Sequence, residues 1–264
     1  LDPFPDGWFW FSDPYHLPWV EHADAIEYRA RIPFAALTYT FFDPPVHVRL
    51  QAWSPFIPGD VESSNTPGMV LDFDLQNVAQ EPLTLSLAAL VKNAAGYDRP
   101  KDPVSLTFEE AARSIVMTRK NLPPQHPTAG QMVLAADTEG PVEITYALFP
   151  RHGRDLWDPL LATGRLENKD FSKAGGTVGE VGTETVREGT SGVHRAALCP
   201  VVELAPGAAR RVTFTLTWHF PNFYEREGGT KPPRNIGHYY ANRFSDAQAV
   251  LAWLRRQRKR LETA

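Results

Sequence analysis

The stretch YRARIPFAALTYTFFDPPVHVRLQAWSPFIPGDVESSNTPGMVLDFDLQN, Tyr28 to Asn77, decides the fold. Its middle, WSPFIPGDVESSNTP (Trp53 to Pro67), reads as neither strand nor helix. Two prolines flank Phe56-Ile57, and a polar turn follows. Proline lacks an amide hydrogen and fixes φ, so this piece cannot lie inside a sheet. It is expected to be a rigid, partly apolar connection between two strands. The strands show on either side. Val46, Val48, Leu50 and Ala52 alternate with His47, Arg49 and Gln51, and Leu71, Phe73 and Leu75 alternate with Asp72, Asp74 and Gln76. Alternation of period 2 predicts one buried and one wet face, the mark of antiparallel sheets.

The same period recurs outward from this core. Leu83, Leu85 and Leu87 alternate with Thr84 and Ser86. Val212, Phe214, Leu216, Trp218 and Phe220 alternate with Arg211, Thr213, Thr215, Thr217 and His219. Val142–Leu148 and Ala196–Leu204 are further strands, and Ala205-Pro206-Gly207 is a turn. The 24 prolines and 18 glycines are scattered, which suits many short strands joined by turns. The expected fold is all-β, a large two-sheet antiparallel sandwich. Helix is expected in two places. One is Thr107–Val116, where Glu109 and Glu110 favour a helix start. The other begins at Ser245, which forms a capping box with Gln248 and leads a stripe of Val250, Trp253, Leu254 and Leu261. Its basic end, Arg255 to Arg260, is expected to be solvated. The Gly- and Thr-rich Lys173–Gly192 reads as a mobile surface loop.

The 264 residues carry 42% hydrophobic and 22% charged side chains, ordinary for a globular protein, and a net charge of −4. That balance gives no reason to expect nucleic acid or an anionic membrane as partner. The single Cys199 excludes an internal disulfide framework, fits a reducing compartment, and is expected to be a small buried residue. The expected location is cytoplasmic. No apolar run is long enough to span a membrane and no signal peptide is visible. The chain opens on Leu1 and stops at Ala264 without a helix stop signal, so it is expected to be cut from something longer.

Candidate chemistry is sparse. Trp8-Phe9-Trp10-Phe11, with Tyr15 and Trp19, could stack on sugars, but large aromatics more often fill a core or an interface. Gly175 to Gly182 lacks the Gly-Lys-Ser/Thr of a phosphate loop. None of the eight histidines has ligand spacing, so no metal or cofactor is expected. Two carboxylate pairs come closest to glycosidase chemistry, which in retaining enzymes needs acids about 5–5.5 Å apart. Asp60 and Glu62 lie in a turn that favours local hydrogen bonding, and Asp72 and Asp74 share one strand face expected to be solvated. Neither pair is expected to be catalytic.

Four pieces together resemble a known family. They are Tyr28-Arg29-Ala30-Arg31-Ile32-Pro33-Phe34 with Asp43-Pro44, and Trp53-Ser54-Pro55-Phe56-Ile57-Pro58-Gly59-Asp60 with Asn65-Thr66-Pro67. The third is Lys92-Asn93-Ala94-Ala95-Gly96, and the fourth is Trp218-His219-Phe220-Pro221 with Gly237 to Ala247. In order and spacing the chain resembles the N-terminal domain of glycoside hydrolase family 116, the non-lysosomal glucosylceramidases and bacterial β-glucosidases. The resemblance implies a sandwich over residues 1–244 and a linker helix over 245–264. It implies that a helical catalytic barrel of the same polypeptide follows and carries both catalytic carboxylates. The domain alone is then inactive and meets sugar only through the barrel. The family's glycine-rich opening has no match in Leu1–Ala25, which is either a variable insertion or a trimmed start. Two other plans share these features: a free-standing carbohydrate-binding module, and the sandwich of another sugar-acting enzyme with a helical barrel. Phe56, Ile57, Trp253 and Leu254 are expected at or near the surface of this chain, where the barrel docks.

Overall fold

The computed structural model describes residues 23–43, 45–99, 102–140, 142–149, 154–171, 194–225 and 234–263. The aromatic cluster Trp8–Phe11 with Tyr15 and Trp19, and the glycine-rich Lys173–Gly192, lie outside the described residues.

Two sheets form the sandwich. The larger contains β1 (Ala25–Arg31), β2 (Phe34–Phe41), β3 (Val46–Trp53), β4 (Gly68–Asn77), β7 (Val104–Glu109), β8 (Ser114–Arg119), β9 (Gln131–Thr138) and β13 (Ala209–His219). Their spatial order is β1-β2-β3-β4-β13-β9-β8-β7, antiparallel throughout. The smaller contains β5 (Leu83–Ser86), β6 (Ala89–Lys92), β10 (Glu143–Leu148), β11 (Lys169–Asp170) and β12 (Arg195–Leu204), with only β10 and β11 parallel. A two-stranded ribbon, β14 (Tyr224–Glu225) with β15 (Arg234–Asn235), stands apart.

The alternating residues fill the space between the sheets. Phe214 and Val212 of β13, Ile115 and Met117 of β8, and Leu75 of β4 meet Leu198, Val202 and Leu204 of β12. Phe73 meets Phe214 edge-on at 6.1 Å, and Phe108 stacks on Tyr146 at 4.3 Å. Pro200, inside β12, falls where the strand passes from its pairing with β6 to its pairing with β5, so the edge it disrupts is already broken.

Helices cover both outer faces. Over the small sheet lies α2 (Arg154–Thr163), following the one-turn α1 (Val61–Ser64) in chain order. Leu156 and Leu160 of α2 pack with Ala147, Ala197 and the buried Cys199. Sequence reading passes over α2 because Pro159 lies inside it and proline breaks interior helix hydrogen bonding. Over the large sheet lies α3 (Ala247–Thr263). Val250, Leu254 and Leu261 sit on Trp53 and Val70, and Ala247 and Leu251 sit on Val133 and Ala135. Gly68 permits this approach: a Cβ there would lie 2.5 Å from Leu254 Cδ1.

Several expectations change, and the stretch Trp53–Pro67, expected to be neither strand nor helix, holds the last residue of β3 and the one-turn α1. Thr107–Val116 is not a helix but most of the β7–β8 hairpin, with Arg113 in left-handed backbone at the turn. Leu106 and Phe108 face the core beside Met117 and Ile115, an alternation that pairing with β9 selects over the helical pattern. The polar face of β13 is not wet, because Thr213, Thr215 and Thr217 are buried beneath α3 and His219 is buried against Tyr240, just before the helix. The cap of α3 is Asp246, not Ser245: its Oδ1 accepts the Ala249 amide at 2.7 Å. Gln131 of β9 accepts the Ala247 and Gln248 amides at 3.0 and 3.3 Å. Leu254, expected near the surface, is 3% exposed, because the stripe of α3 is met by this chain's own sheet. None of the helices among the described residues is long and apolar enough to cross a membrane.

Leu254→Ala removes a side chain packed under the helix and is expected to destabilise this 264-residue chain by ~2–5 kcal/mol in urea unfolding. Phe56→Ala, at an exposed position, is expected to change it by less than ~0.5 kcal/mol.

Candidate functional site

The proline-framed connection between β3 and β4 is compact and internally bonded. Ile57 N–H donates to Ser64 Oγ at 3.0 Å, and Ser64 Oγ donates to Ile57 O at 3.1 Å. Gly59 takes a positive φ of 83°, which lets the chain reverse into α1. Asp60 caps α1, accepting from Ser63 N at 2.9 Å and Ser63 Oγ at 2.7 Å. This folding turns Ile57 toward Trp53 and leaves Phe56 49% and Val61 61% exposed.

The loop is clamped to the α3 side. Arg260 donates to Asp60 Oδ2 at 2.6 Å and to Ser63 Oγ at 3.3 Å. Arg243 donates to the Glu62 carbonyl. The Arg243 guanidinium also lies 5.2 Å from the half-buried Trp253 ring, which meets Phe244 edge-on at 6.0 Å. So of the four residues expected to dock a barrel, the structure brings the loop pair and Trp253 into one neighbourhood. Phe56 is exposed, Ile57 and Trp253 are half-buried, and Leu254 has no free surface.

Of the four candidate carboxylates, Asp60, Asp72 and Asp74 are engaged by other side chains, while Glu62 is exposed and lends the fold only its backbone carbonyl. Ser63, by its amide and hydroxyl, holds the Asp60 carboxyl down to about 2, and Arg260 adds to the effect. A general acid needs the opposite shift. Asp72 is 3% exposed rather than solvated. It accepts from Trp53 Nε1 at 3.0 Å and Thr213 Oγ1 at 2.6 Å, and from the Arg258 guanidinium. Asp74 forms a two-pronged pair with Arg211 at 2.6 and 3.1 Å. The basic helix end is exposed as expected, apart from the half-buried Arg258, but it is tied down: Arg255 donates to Asp137 at 3.0 Å, and Arg258 and Arg260 bind as above. Arg256 and Lys259 remain exposed. Among the described residues no three His, Cys, Asp or Glu side chains could hold a metal ion. Burial pushes the Cys199 thiol up to about 11, away from the reactive thiolate.

What the end of the sandwich offers instead is surface. Register places Phe34 beside Trp53, Trp53 beside Val70, and Gly68 beside Thr217. The β1–β2 turn, the proline loop and the segment after β13 therefore emerge at one end of the large sheet. That end carries Ile32 (86% exposed), Phe56 and Val61, and then Phe223, Ile236 and Tyr239 beyond β13. Of these, only Phe56 is expected from the sequence. Val61, an apolar residue inside the polar Asp60–Asn65 turn, was the one legible signal for the others.

A family model described as beta-glucosidase 2, glycosyl-hydrolase family 116 N-term, matches residues 7–261. The chain belongs to this N-terminal domain family of glycosyl-hydrolase family 116. The solved structures it matches are looser likenesses. A heparinase III, the BT4657 gene product, aligns with TM-score 0.37 and 6% identity over 81% of this chain and 26% of that one. The family GH92 inverting mannosidase BT2199 from Bacteroides thetaiotaomicron VPI-5482 aligns with TM-score 0.31 and 12% identity, over 87% of this chain and 22% of that one. The GH36 α-galactosidase AgaA from Geobacillus stearothermophilus aligns with TM-score 0.31 and 9% identity, over 76% and 26%. The family 116 domain thus spans about a quarter of the length of the solved chains it matches.

The pinned Asp60 gives a pH prediction. Its folded pKa lies below the ordinary carboxylate value of about 3.9, so its stabilising bonds are complete above about pH 4. They are lost as the pH falls through about 2. A carboxyl NMR titration is expected to show Asp60 still ionised at pH 3, and Asp60→Asn is expected to remove part of the acid destabilisation below pH 4.

Proposed function

We propose that this family 116 domain is the non-catalytic N-terminal sandwich of a retaining β-glycosidase of the β-glucosidase or glucosylceramidase type. The match over residues 7–261 to the N-terminal part of a glycosidase family carries the reading. The state of the carboxylates supports the non-catalytic part. Asp60 is a helix cap, Asp72 lies under a helix and Asp74 is paired with Arg211, so the exposed Glu62 has no free second carboxylate among these candidates to complete a catalytic pair. Double displacement through a glycosyl-enzyme then belongs to a helical barrel in the same polypeptide.

The sandwich's task in this reading is to brace that barrel. Phe56, Val61 and Ile32, with the partly covered Ile57 and Trp253, form the apolar contact at one end of the large sheet. Leu254 acts from beneath, fixing α3 so that the contact is rigid. Apolar surface gathered at one end of a folded domain marks a docking site more often than scattered single residues do.

The purified chain is expected to show no turnover of aryl β-glucosides. Turnover lost on Asp60→Asn or Glu62→Gln would move the chemistry into the sandwich and overturn the reading. For the docking, Phe56→Asp with Val61→Asp is expected to lower the melting temperature of the full-length enzyme by several degrees while leaving the isolated domain unchanged. Equal shifts in both would show that the two residues serve the sandwich alone.

A further inference from the structure

The strand β1 ends the large sheet, and among the described residues no strand runs along its free edge. All seven of its residues are exposed. Across β2, Ile26 pairs with Tyr39, Tyr28 with Leu37 and Ala30 with Ala35. These rows continue to Val48, Leu50 and Ala52 of β3. Val48 packs into the space between the sheets, so Ile26 and Tyr28 lie on the inward face. The small sheet does not reach them, since the core it shares with the large sheet includes no β1 or β2 residue. The opposite face of β1 carries Glu27, Arg29 and Arg31, with Arg29 donating to Glu27 at 2.7 Å.

A long open edge recruits another strand unless something selects or blocks it. Here the charges select. We propose that a second copy of this chain pairs with β1 antiparallel, about a two-fold axis through Tyr28. That register sets position 25 against 31, 26 against 30 and 27 against 29. Glu27 then faces the partner's Arg29, and Arg29 faces the partner's Glu27. Slipping the register by one pair in either direction sets Glu27 against Glu27 or Arg29 against Arg29 and shortens the ladder. Opposite charges across strands stabilise and like charges destabilise, so only the Tyr28-centred register satisfies both charges over the whole strand. It also joins the two inward rows of Ile26 and Tyr28 into one apolar strip, self-complementary as a two-fold interface must be.

Sedimentation equilibrium of the 264-residue chain, from about 1 to about 100 µM, tests this. The unaltered chain is expected to dimerise. Glu27→Arg and Arg29→Glu each oppose like charges at two symmetric places and are expected to weaken the dimer about tenfold or more. Mixing the two variants is expected to restore association, because their edges then carry opposite charges throughout. Both side chains are mostly exposed, so the thermal melts of the monomers are expected to match. A chain that stays monomeric, as it does if the residues before Ala25 cover the edge, overturns the proposal. So does a dimer that neither reversal weakens, or a mixture that fails to associate.

Discussion

The buried carboxylate of Asp72 is the constraint on which the outer half of this fold depends. It sits on β4, on the sheet face away from the sandwich core, where a strand of an ordinary two-sheet sandwich meets water. Burying a carboxylate is costly unless it is paired and hydrogen-bonded. Three elements meet that cost: Trp53 from β3, Thr213 from β13 and Arg258 from α3. Arg258 also bonds Thr213 at 2.9 Å and Glu262 at 2.8 Å. Replacing such a network by apolar residues can be neutral in stability, whereas removing one partner is not, so its main effect is to specify geometry. Here the geometry specified is the register of α3 on the sheet.

That register has consequences at both ends of the helix. At its start, Thr217 donates to the Ala247 carbonyl at 2.8 Å while Gln131 caps the first amides. At its end, Arg260 reaches Asp60 and thereby fixes the proline loop. The loop's exposed Phe56 and Val61 are held by a chain of contacts that runs through the helix to the middle of the sheet. The docking proposed for this surface would gain from such preorganisation, since less conformational entropy is lost on binding. The helix belongs physically to the sandwich, packed on its large sheet from Ala247 to Leu261.

The sheets were legible in the sequence because Val212 to Phe220 and Leu71 to Leu75 alternate without interruption. The faces were less so. Threonine is a good strand residue whose small hydroxyl is satisfied as easily under a helix as in water, so Thr213, Thr215 and Thr217 do not announce their burial. Asp72 looks solvated for the same reason: a charge pattern does not reveal a partner 186 residues away. The stripe of Val250, Leu254 and Leu261 said that α3 needed a partner but not which one. Thr107 to Val116 fits two periods at once, and only the pairing of Ser114 to Thr118 with β9 decides between them. The exposed apolar end was the least legible part. Ile32, Val61 and Ile236 are far apart in the chain, and strand register alone brings them to one end.

Hydrogen exchange of the α3 amides tests the account most directly. If Asp72 and the buried stripe hold the helix on the sheet, the amides from Leu251 to Leu261 in this chain alone exchange as slowly as those of β4 and β13, through global unfolding. Arg258→Ala then speeds exchange in α3 before it affects the strands. Fast exchange throughout α3 in the unaltered chain, beside slow exchange in β4 and β13, would contradict the account and make the helix a free linker.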